Sequence, residues 1–162
     1  MSSLPLVIGL GTEERCDDGV GLYAVRALRE RLKGSARVVE CHGDATELLE
    51  LWTKERMVVV IDAIRSGRTA GSVLRIDVQA DPLPTWPAPT SSHALSLTEA
   101  VELGQALGQM PRRLIVYGVE AASFEPGRAL TPAVAEGGRE VVGRVAAELT
   151  ALSEGSGGVA HA

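Results

Sequence analysis

The chain has 162 residues, of which 45% are apolar and 23% charged, and its formal net charge is −5 at pH 7. This length predicts one globular domain, and the ordinary composition excludes wholesale disorder. The negative charge argues against nucleic acid or an anionic membrane as the partner, and it permits a basic protein partner. With two cysteines and no apolar run of membrane-spanning length, we expect a cytoplasmic protein without a disulfide framework.

Short apolar runs recur along the chain and predict the strands. Residues 4–10, 38–39, 57–61 and 114–117 are nearly continuous apolar runs, which are typical of strands buried on both faces of a parallel sheet. Residues 72–78 instead alternate between apolar and polar side chains, which indicates an edge strand that can be antiparallel. The expected fold is a three-layer α/β/α sandwich with a mainly parallel sheet of about five strands.

Apolar stripes with helical spacing lie between these strands. They cover residues 20–28, 97–104 and 134–149. A capping box at residues 96–99 predicts the start of the second helix, and Thr131 before Pro132 predicts the start of the third. We expect a single α/β domain over residues 1–152 and a flexible Gly/Ser-rich tail over residues 153–162.

Polar residues occur where several of the predicted strands end. They are Asp17 and Asp18 after the first strand, Asp62 at the end of the third, His93 just before a helix, and Glu120 at the end of the last strand. Because the carboxyl ends of parallel strands meet at one edge of a sheet, which is where α/β proteins bind ligands, these side chains are predicted to share that edge.

Two carboxylates and one imidazole match the donor set of a first-row transition metal with open positions. Each residue also has a purely structural interpretation. One of Asp17 and Asp18 is expected to cap the first helix, Asp62 can be a turn residue, and His93 can be a hydrogen-bonded structural imidazole. The metal hypothesis therefore depends on the convergence of these side chains at one place.

Other chemistries fit the sequence less well. The Gly-rich segment of residues 9–21 lacks the Lys-Ser/Thr of a phosphate-binding loop, and its acidic residues would repel a pyrophosphate. Cys16 lies beside two aspartates, whose negative charge disfavours the thiolate needed for attack. The serines that precede His93 lack the Gly-x-Ser-x-Gly elbow of a serine hydrolase. A metal-assisted reaction is thus favoured over a nucleophilic side chain.

Four segments resemble the maturation endopeptidases of [NiFe]-hydrogenases, in the order of that family: GLGTEERCDDGVGLYAVRAL, VVVIDAIRSGRTAGSVLRID, SSHALSLTEAVELGQAL and PRRLIVYGVEAASFEPGRALTPAV. The resemblance implies an α/β/α fold and a protease that removes a C-terminal extension from the hydrogenase large subunit after nickel insertion. It also implies that Asp18, Asp62 and His93 are the metal-binding and catalytic residues.

The resemblance further implies that the metal is nickel supplied by the large subunit, that no permanent organic cofactor is needed, and that the partner is the immature, nickel-loaded large subunit. The oligomeric state is left open, with a monomer as the working expectation. Two positions depart from the family pattern. Thr12 stands where the family often has Asn, and residues 41–46 place Asp44 in a loop expected to help select the substrate.

Two alternatives have different mechanisms. The same ligands would serve a nickel-binding chaperone of hydrogenase assembly that performs no hydrolysis. Acids after the first and third strands also occur in magnesium-dependent phosphoacceptor signalling domains, but such a domain needs a lysine at the end of its last strand, and no lysine follows Lys54 in this chain.

Overall fold

The computed structural model describes residues 4–42, 44–84 and 92–159, and for residues 92–96 and 156–159 it describes the backbone alone. The strands are β1 (Leu6–Leu10), β2 (Arg37–Cys41), β3 (Met57–Ile64), β4 (Val73–Asp77) and β5 (Arg113–Glu120). The helices are α1 (Val20–Arg31), α2 (Ala45–Trp52), α3 (Ser92–Leu107) and α4 (Pro132–Val159), and a short 3-10 helix over Cys16–Gly19 leads into α1.

The five strands form one sheet in the order β2-β1-β3-β5-β4. Every neighbouring pair is parallel except β4 and β5, which are antiparallel. This confirms the predicted mainly parallel sheet with one antiparallel edge strand. The segment between β3 and β4, residues 65–72, is too short for the crossover that a parallel connection requires, so β4 runs back beside β5.

The sheet is covered on both faces, as expected for a three-layer sandwich. Helices α1 and α4 pack on one face against alternate strand residues such as Val59 and Ile115. Helices α2 and α3 pack on the other face against the intervening residues, such as Val60 and Leu114. Helices cover both faces of each interior strand, so consecutive residues of such a strand are all buried and apolar. This explains the continuous apolar runs in the sequence.

The helices follow the predicted stripes, with differences at their ends. α1 and the start of α4 at Pro132 are confirmed. The capping box at residues 96–99 does not start a helix, because α3 begins at Ser92 and the box lies within its early turns. Ser92 to Leu95 contain no proline or glycine, and continuing the helix through them adds backbone hydrogen bonds. His93 therefore lies in the first turn of α3 and not before it.

Two further features were not predicted from the sequence. α2 is an amphipathic helix whose first turn is capped by Asp44, since the Asp44 carboxylate accepts a hydrogen bond of 3.0 Å from the Glu47 amide. α4 continues to Val159, into the segment expected to be a tail, because no proline interrupts it after Pro132. Within the described part of the chain, no helix has the length and apolar character needed to cross a membrane.

Candidate functional site

The carboxyl edge of the parallel strands carries the acidic residues that the sequence predicted there. Their exposed fractions are 0% for Asp17, 0% for Asp18, 1% for Asp62 and 2% for Glu120. A buried carboxylate is destabilising unless hydrogen bonds or counter-charges compensate for its lost hydration. The partners of each acid therefore indicate whether it serves the structure or is held for a ligand.

Asp18 is placed by close contacts that only glycine permits. A Cβ atom at Gly11 would lie 2.1 Å from the Asp18 carbonyl oxygen, and Gly11 has a φ of +151°. A Cβ atom at Gly21 would lie 2.2 Å from the Leu10 carbonyl oxygen and 2.5 Å from that of Ile61. The 3-10 helix and the start of α1 are thus pressed onto the ends of β1 and β3, which brings Asp18 to these strand ends.

Asp62 lies inside β3 and not at its end, which corrects the prediction. The parallel pairing of β3 with β5 continues past Asp62, opposite Gly118, as far as Ile64, opposite Glu120. Alternate residues of a strand share a face, and Val58 and Val60 face α2 and α3. The Asp62 side chain is therefore on the α3 side of the sheet.

The structure brings the backbone of Asp18 against Gly11, directly after β1, and Asp62 directly follows the last residue pair of β1 and β3. α3 begins on the face of the sheet to which Asp62 belongs. The side chain of His93 lies outside the described residues, so a three-ligand site stays a prediction. Among the side chains that the structure describes, which do not include that of His93, no group of three His, Cys, Asp or Glu residues is arranged to hold a metal ion.

Asp17 has a structural role that the sequence did not indicate. Its carboxylate accepts hydrogen bonds from the amides of Ala122 (2.8 Å), Ser123 (2.8 Å) and Thr131 (2.7 Å) and from the Thr131 hydroxyl. The expected capping of α1 by an aspartate side chain does not occur, because Gly19 is the N-cap residue and the cap has no side-chain hydrogen bond. Asp17 instead ties the segment before α1 to the loop between β5 and α4.

Glu120 is likewise a structural acid. Both of its carboxylate oxygens accept from the Ser66 amide, at 3.1 and 3.0 Å, and one of them also accepts from the Ser66 hydroxyl. The backbone of Glu120 is bonded to the same loop through Gly71 and Ser72. Glu120 therefore holds the β3–β4 loop against the end of β5, and it shares the predicted edge without being placed as a ligand.

Cys16 lies where the β1–α1 loop contacts the β5–α4 loop at this edge. Its φ is +44°, its amide donates to the Gly127 carbonyl at 2.8 Å, and a Cβ atom at Gly127 would lie 2.9 Å from its Sγ. The half-buried thiol therefore packs against backbone. No histidine or carboxylate hydrogen-bonds to it among the described residues, so nothing in this part of the chain activates it.

The loop after β2 is also tied to the edge. The Gly11 amide donates to the Cys41 carbonyl at 3.3 Å, and His42 Nδ1 lies 3.0 Å from the Gly11 carbonyl oxygen. Asp44, the acid expected in a substrate-selecting loop, uses its carboxylate to cap α2. The capping role accounts for this acid without a substrate contact.

A cleft of about 330 Å³ lies beside Gly19, next in sequence to Asp18. Glu13, Tyr23, Arg26 and Arg128 contribute its polar side chains. Hydrogen bonds and the charge of the Arg26 guanidinium hold the pKa of Glu13 below its usual value. The cleft is open to solvent and also has apolar lining from Ala27 and Leu130. Its lining comes from the β1–α1 segment, from α1 and from the loop before α4.

Comparisons with known proteins match this architecture. A family model described as hydrogenase maturation protease matches residues 22–148. The chain is 28% identical to the hydrogenase expression/formation protein HupD of Thiocapsa roseopersicina over 134 residues, 81% of this chain and 61% of that protein. It is 28% identical to the hydrogenase 2 maturation protease of Escherichia coli (strain K12) over 131 residues, 80% of each. The hydrogenase maturating endopeptidase HybD from E. coli, 25% identical, superposes with a TM-score of 0.77 over 91% of this chain and 93% of that chain.

Proposed function

The chain belongs to the hydrogenase maturation protease family, and on that premise we propose that it is an endopeptidase that removes the C-terminal extension of a [NiFe]-hydrogenase large-subunit precursor after nickel insertion. One observation carries the proposal. Two buried carboxylates lie at the carboxyl edge of the sheet, Asp18 in the 3-10 helix after β1 and Asp62 directly after the last residue pair of β1 and β3, and the resemblance implies metal ligands at both positions.

The proposed ligands suit the nickel that the precursor brings as part of the substrate. Asp18 and Asp62 supply anionic oxygen donors, and His93 supplies a nitrogen donor, a set that Ni²⁺ accepts. The position of His93 in the first turn of α3, on the face of the sheet that carries Asp62, supports its inclusion. Nickel thus belongs to the substrate in this proposal, and no organic cofactor is needed.

The proposed reaction is metal-assisted peptide hydrolysis. Contact with the nickel centre of the precursor fixes the scissile bond at the carboxyl edge, and fixed geometry alone can lower a barrier by about 7–11 kcal/mol. One of the two acids acts as general base and takes a proton from the attacking water. The hydroxyl adds to the carbonyl carbon, the C–N bond breaks, and the proton passes to the leaving amine.

We further propose that the enzyme is a monomer that acts in the cytoplasm, with neither nucleic acid nor membrane as a partner. Cys16 and Cys41 form no disulfide with each other, which suits a reducing compartment.

The direct test is incubation with nickel-loaded precursor followed by intact-mass measurement. The proposed function predicts loss of the extension with wild-type protein, and no loss with Asp18→Asn, Asp62→Asn or His93→Ala. Glu125→Gln is the matched control, since Glu125 is an exposed acid on the same edge with no role in the proposed site. Thermal unfolding of each variant checks that the fold is intact.

The outcomes separate the alternatives. Binding of the precursor without any change of mass would favour a nickel-binding chaperone. Full cleavage by Asp62→Asn or His93→Ala would remove the ligand assignment. Cys16→Ser is expected to cleave at the wild-type rate, because the thiol packs against Gly127, and complete loss of activity in that variant would favour a thiol mechanism instead.

A further inference from the structure

Four exposed arginines lie in loops at the carboxyl edge of the sheet, the edge that carries the candidate site. They are Arg15 in the β1–α1 loop, Arg65 and Arg68 in the β3–β4 loop, and Arg128 in the β5–α4 loop. None of them is within ion-pair distance of an acid in the part of the chain that the structure describes, although, after the hydrogen bond and charge of Arg26, the charge of Arg128 contributes to the lowered pKa of Glu13 in the neighbouring cleft. We call these four residues the arginine rim.

The absence of counter-ions at the arginine rim is not caused by a shortage of acids, because the chain carries 21 acidic and 16 basic side chains. Several arginines elsewhere on the surface have carboxylate partners, as in Arg26 with Glu40 at 2.9 Å, although Arg56 and Arg112 form no ion pair among the described residues. At the carboxyl edge four acids are buried, and two of them, Asp17 and Glu120, accept hydrogen bonds from backbone amides and hydroxyls.

The exposed charge of the three loops that carry the arginine rim is therefore positive. Glu14 and Glu125 are exposed acids on the same loops and have no ion pair among the described residues, whereas Glu13 is bound to Arg26. Two such acids do not offset four arginines. A partner approaching these loops meets an excess of cationic groups, although the protein as a whole is negative.

Two members of the arginine rim are held in place. The Arg15 and Arg65 guanidinium carbons lie 5.9 and 5.4 Å from the centroid of the buried Phe124 ring. Arg15 Nε also donates to the Phe124 carbonyl at 3.2 Å, and Arg65 donates to the Ala122 carbonyl at 3.4 Å. Guanidiniums that are ordered before binding lose less entropy when they meet a carboxylate, so this arrangement is suited to recognition.

We infer that the arginine rim docks acidic side chains on the folded body of the partner, which under the proposed function is the large-subunit precursor. The four cations are spread over three loops of the carboxyl edge, so a single acidic residue of a cleaved extension cannot reach them all. Charge complementarity therefore selects a surface with several carboxylates close to the scissile bond. The net charge of the whole chain permits a basic partner, whereas the arginine rim favours an acidic one.

Stopped-flow association of the protein with the precursor tests the inference. The probe is the double variant Arg65→Gln/Arg128→Gln, which leaves the hydrogen bonds of Arg15 intact. At low salt its association rate constant is expected to fall about tenfold, since charges at the rim of an interface act mainly on association. The difference is expected to vanish in about 1 M salt, where the Debye length is about 3 Å.

The matched control is Arg56→Gln/Arg112→Gln. Both residues are exposed and have no ion pair among the described residues, but they precede β3 and β5 and thus lie at the opposite edge of the sheet. This variant has the same net charge as the probe, and its association rate is expected to equal that of the wild type. An equal loss in both variants would overturn the inference, because the effect would then come from net charge alone.

A second arm identifies the source of the carboxylates. The precursor produced without its extension is expected to keep the tenfold sensitivity to the probe variant, whereas the isolated extension peptide is expected to show none. The inference would be overturned if only the extension peptide were sensitive to the probe variant, or if the probe variant associated with the precursor at the wild-type rate. Continued cleavage by the wild-type protein would then leave the proposed function standing. If the precursor binds through the arginine rim but is not cleaved, the proposed function is wrong and the inferred docking surface is retained.

Discussion

The acids at the two edges of the sheet are held in different ways. At the carboxyl edge, Asp17 and Glu120 are buried and accept hydrogen bonds from amides of neighbouring loops. At the amino edge, Glu55 pairs with Arg37 at 2.5 Å and Asp77 with Arg113, but the two arginine side chains are 48% and 41% exposed. Acidic side chains thus hold backbone segments together at the carboxyl edge, whereas at the amino edge they form ion pairs with largely exposed arginines.

The difference has an energetic consequence. A solvent-exposed ion pair contributes about 0–1 kcal/mol, because water screens the attraction and two long side chains must be ordered. A buried carboxylate that serves several amides is harder to replace, since its removal leaves each amide without an acceptor. Changes at the carboxyl edge are therefore expected to affect stability and the proposed site together, and changes at the amino edge to affect neither strongly.

The largest effect is expected for Asp17→Ala. The amides of Ala122, Ser123 and Thr131 lose their acceptor inside the protein, which should lower the free energy of unfolding by about 3–5 kcal/mol. Asp17→Asn keeps one acceptor oxygen and should lose roughly half as much. Urea denaturation measures both, and a loss below about 1 kcal/mol for the alanine variant would show that water substitutes for the carboxylate.

Gly21→Ala comes next. The added methyl would overlap the Leu10 and Ile61 carbonyl oxygens, so we expect a loss of about 1–3 kcal/mol and slower cleavage as α1 moves away from the strand ends. Gly143→Ala is the control, because nothing lies within 4 Å of a Cβ atom there and α4 should gain about 0.5–1 kcal/mol. Equal effects of the two variants in thermal unfolding would contradict the close packing at the edge.

An intermediate effect is expected at the partly buried group formed by Arg75, Tyr117 and Glu148. Hydrogen bonds from Arg75, at 3.0 and 2.6 Å, and from the Tyr117 hydroxyl hold the pKa of Glu148 below its usual value. Its contribution of about 1 kcal/mol is therefore present above the unfolded pKa of about 4.3 and is lost as the pH falls through the lower folded pKa. In Glu148→Gln the free energy of unfolding should not show this loss at acidic pH. An acid unfolding profile equal to that of the wild type would contradict the assignment to Glu148.

The same group predicts a transition at high pH. Burial, followed by the hydrogen bond to Glu148, raises the pKa of Tyr117 to about 12. The folded state therefore favours the neutral phenol, and stability should decline as the pH rises from about 10, the ordinary tyrosine value, towards 12. Ultraviolet absorbance of tyrosinate should show a late phase that Tyr117→Phe removes, and persistence of that phase would assign it elsewhere.

The smallest effect is expected for Glu55→Gln at the amino edge. Arg37, its partner, is about half exposed, so the variant should lose less than about 1 kcal/mol, and 1 M salt should erase the difference. Urea denaturation with and without salt measures this. A loss as large as that of Asp17→Ala would remove the distinction between the two edges.

Periodicity predicted most of the fold because each strand and helix carries its own pattern. The alternation of residues 72–78 identified β4 as the edge strand, and the continuous apolar runs identified the interior strands. α2 was missed because it is short, although Asp44 three residues before Glu47 was a usable capping signal. The end of β3 was placed too early at Asp62, because its last pairs depend on β5, about fifty residues away along the chain.

The roles of the acids were less accessible to the sequence. Asp17 and Asp18 are neighbours of the same type, and only the amides of residues 122, 123 and 131 distinguish the structural acid from the candidate ligand. Glu120 shares the predicted edge but is bound to Ser66, which precedes it by a whole strand and helix. Such partners are set by the packing of distant loops, which no local pattern encodes.

By itself the sequence determined the class of fold, the edge at which chemistry is expected and the family that the chain resembles, since each follows from local patterns. The tertiary structure alone decided which acids are buried and which exposed arginines form no ion pair with another described residue. A net charge of −5 is a sum over the whole chain, whereas a partner responds to charges within a Debye length of about 8–10 Å, and folding determines which charges those are.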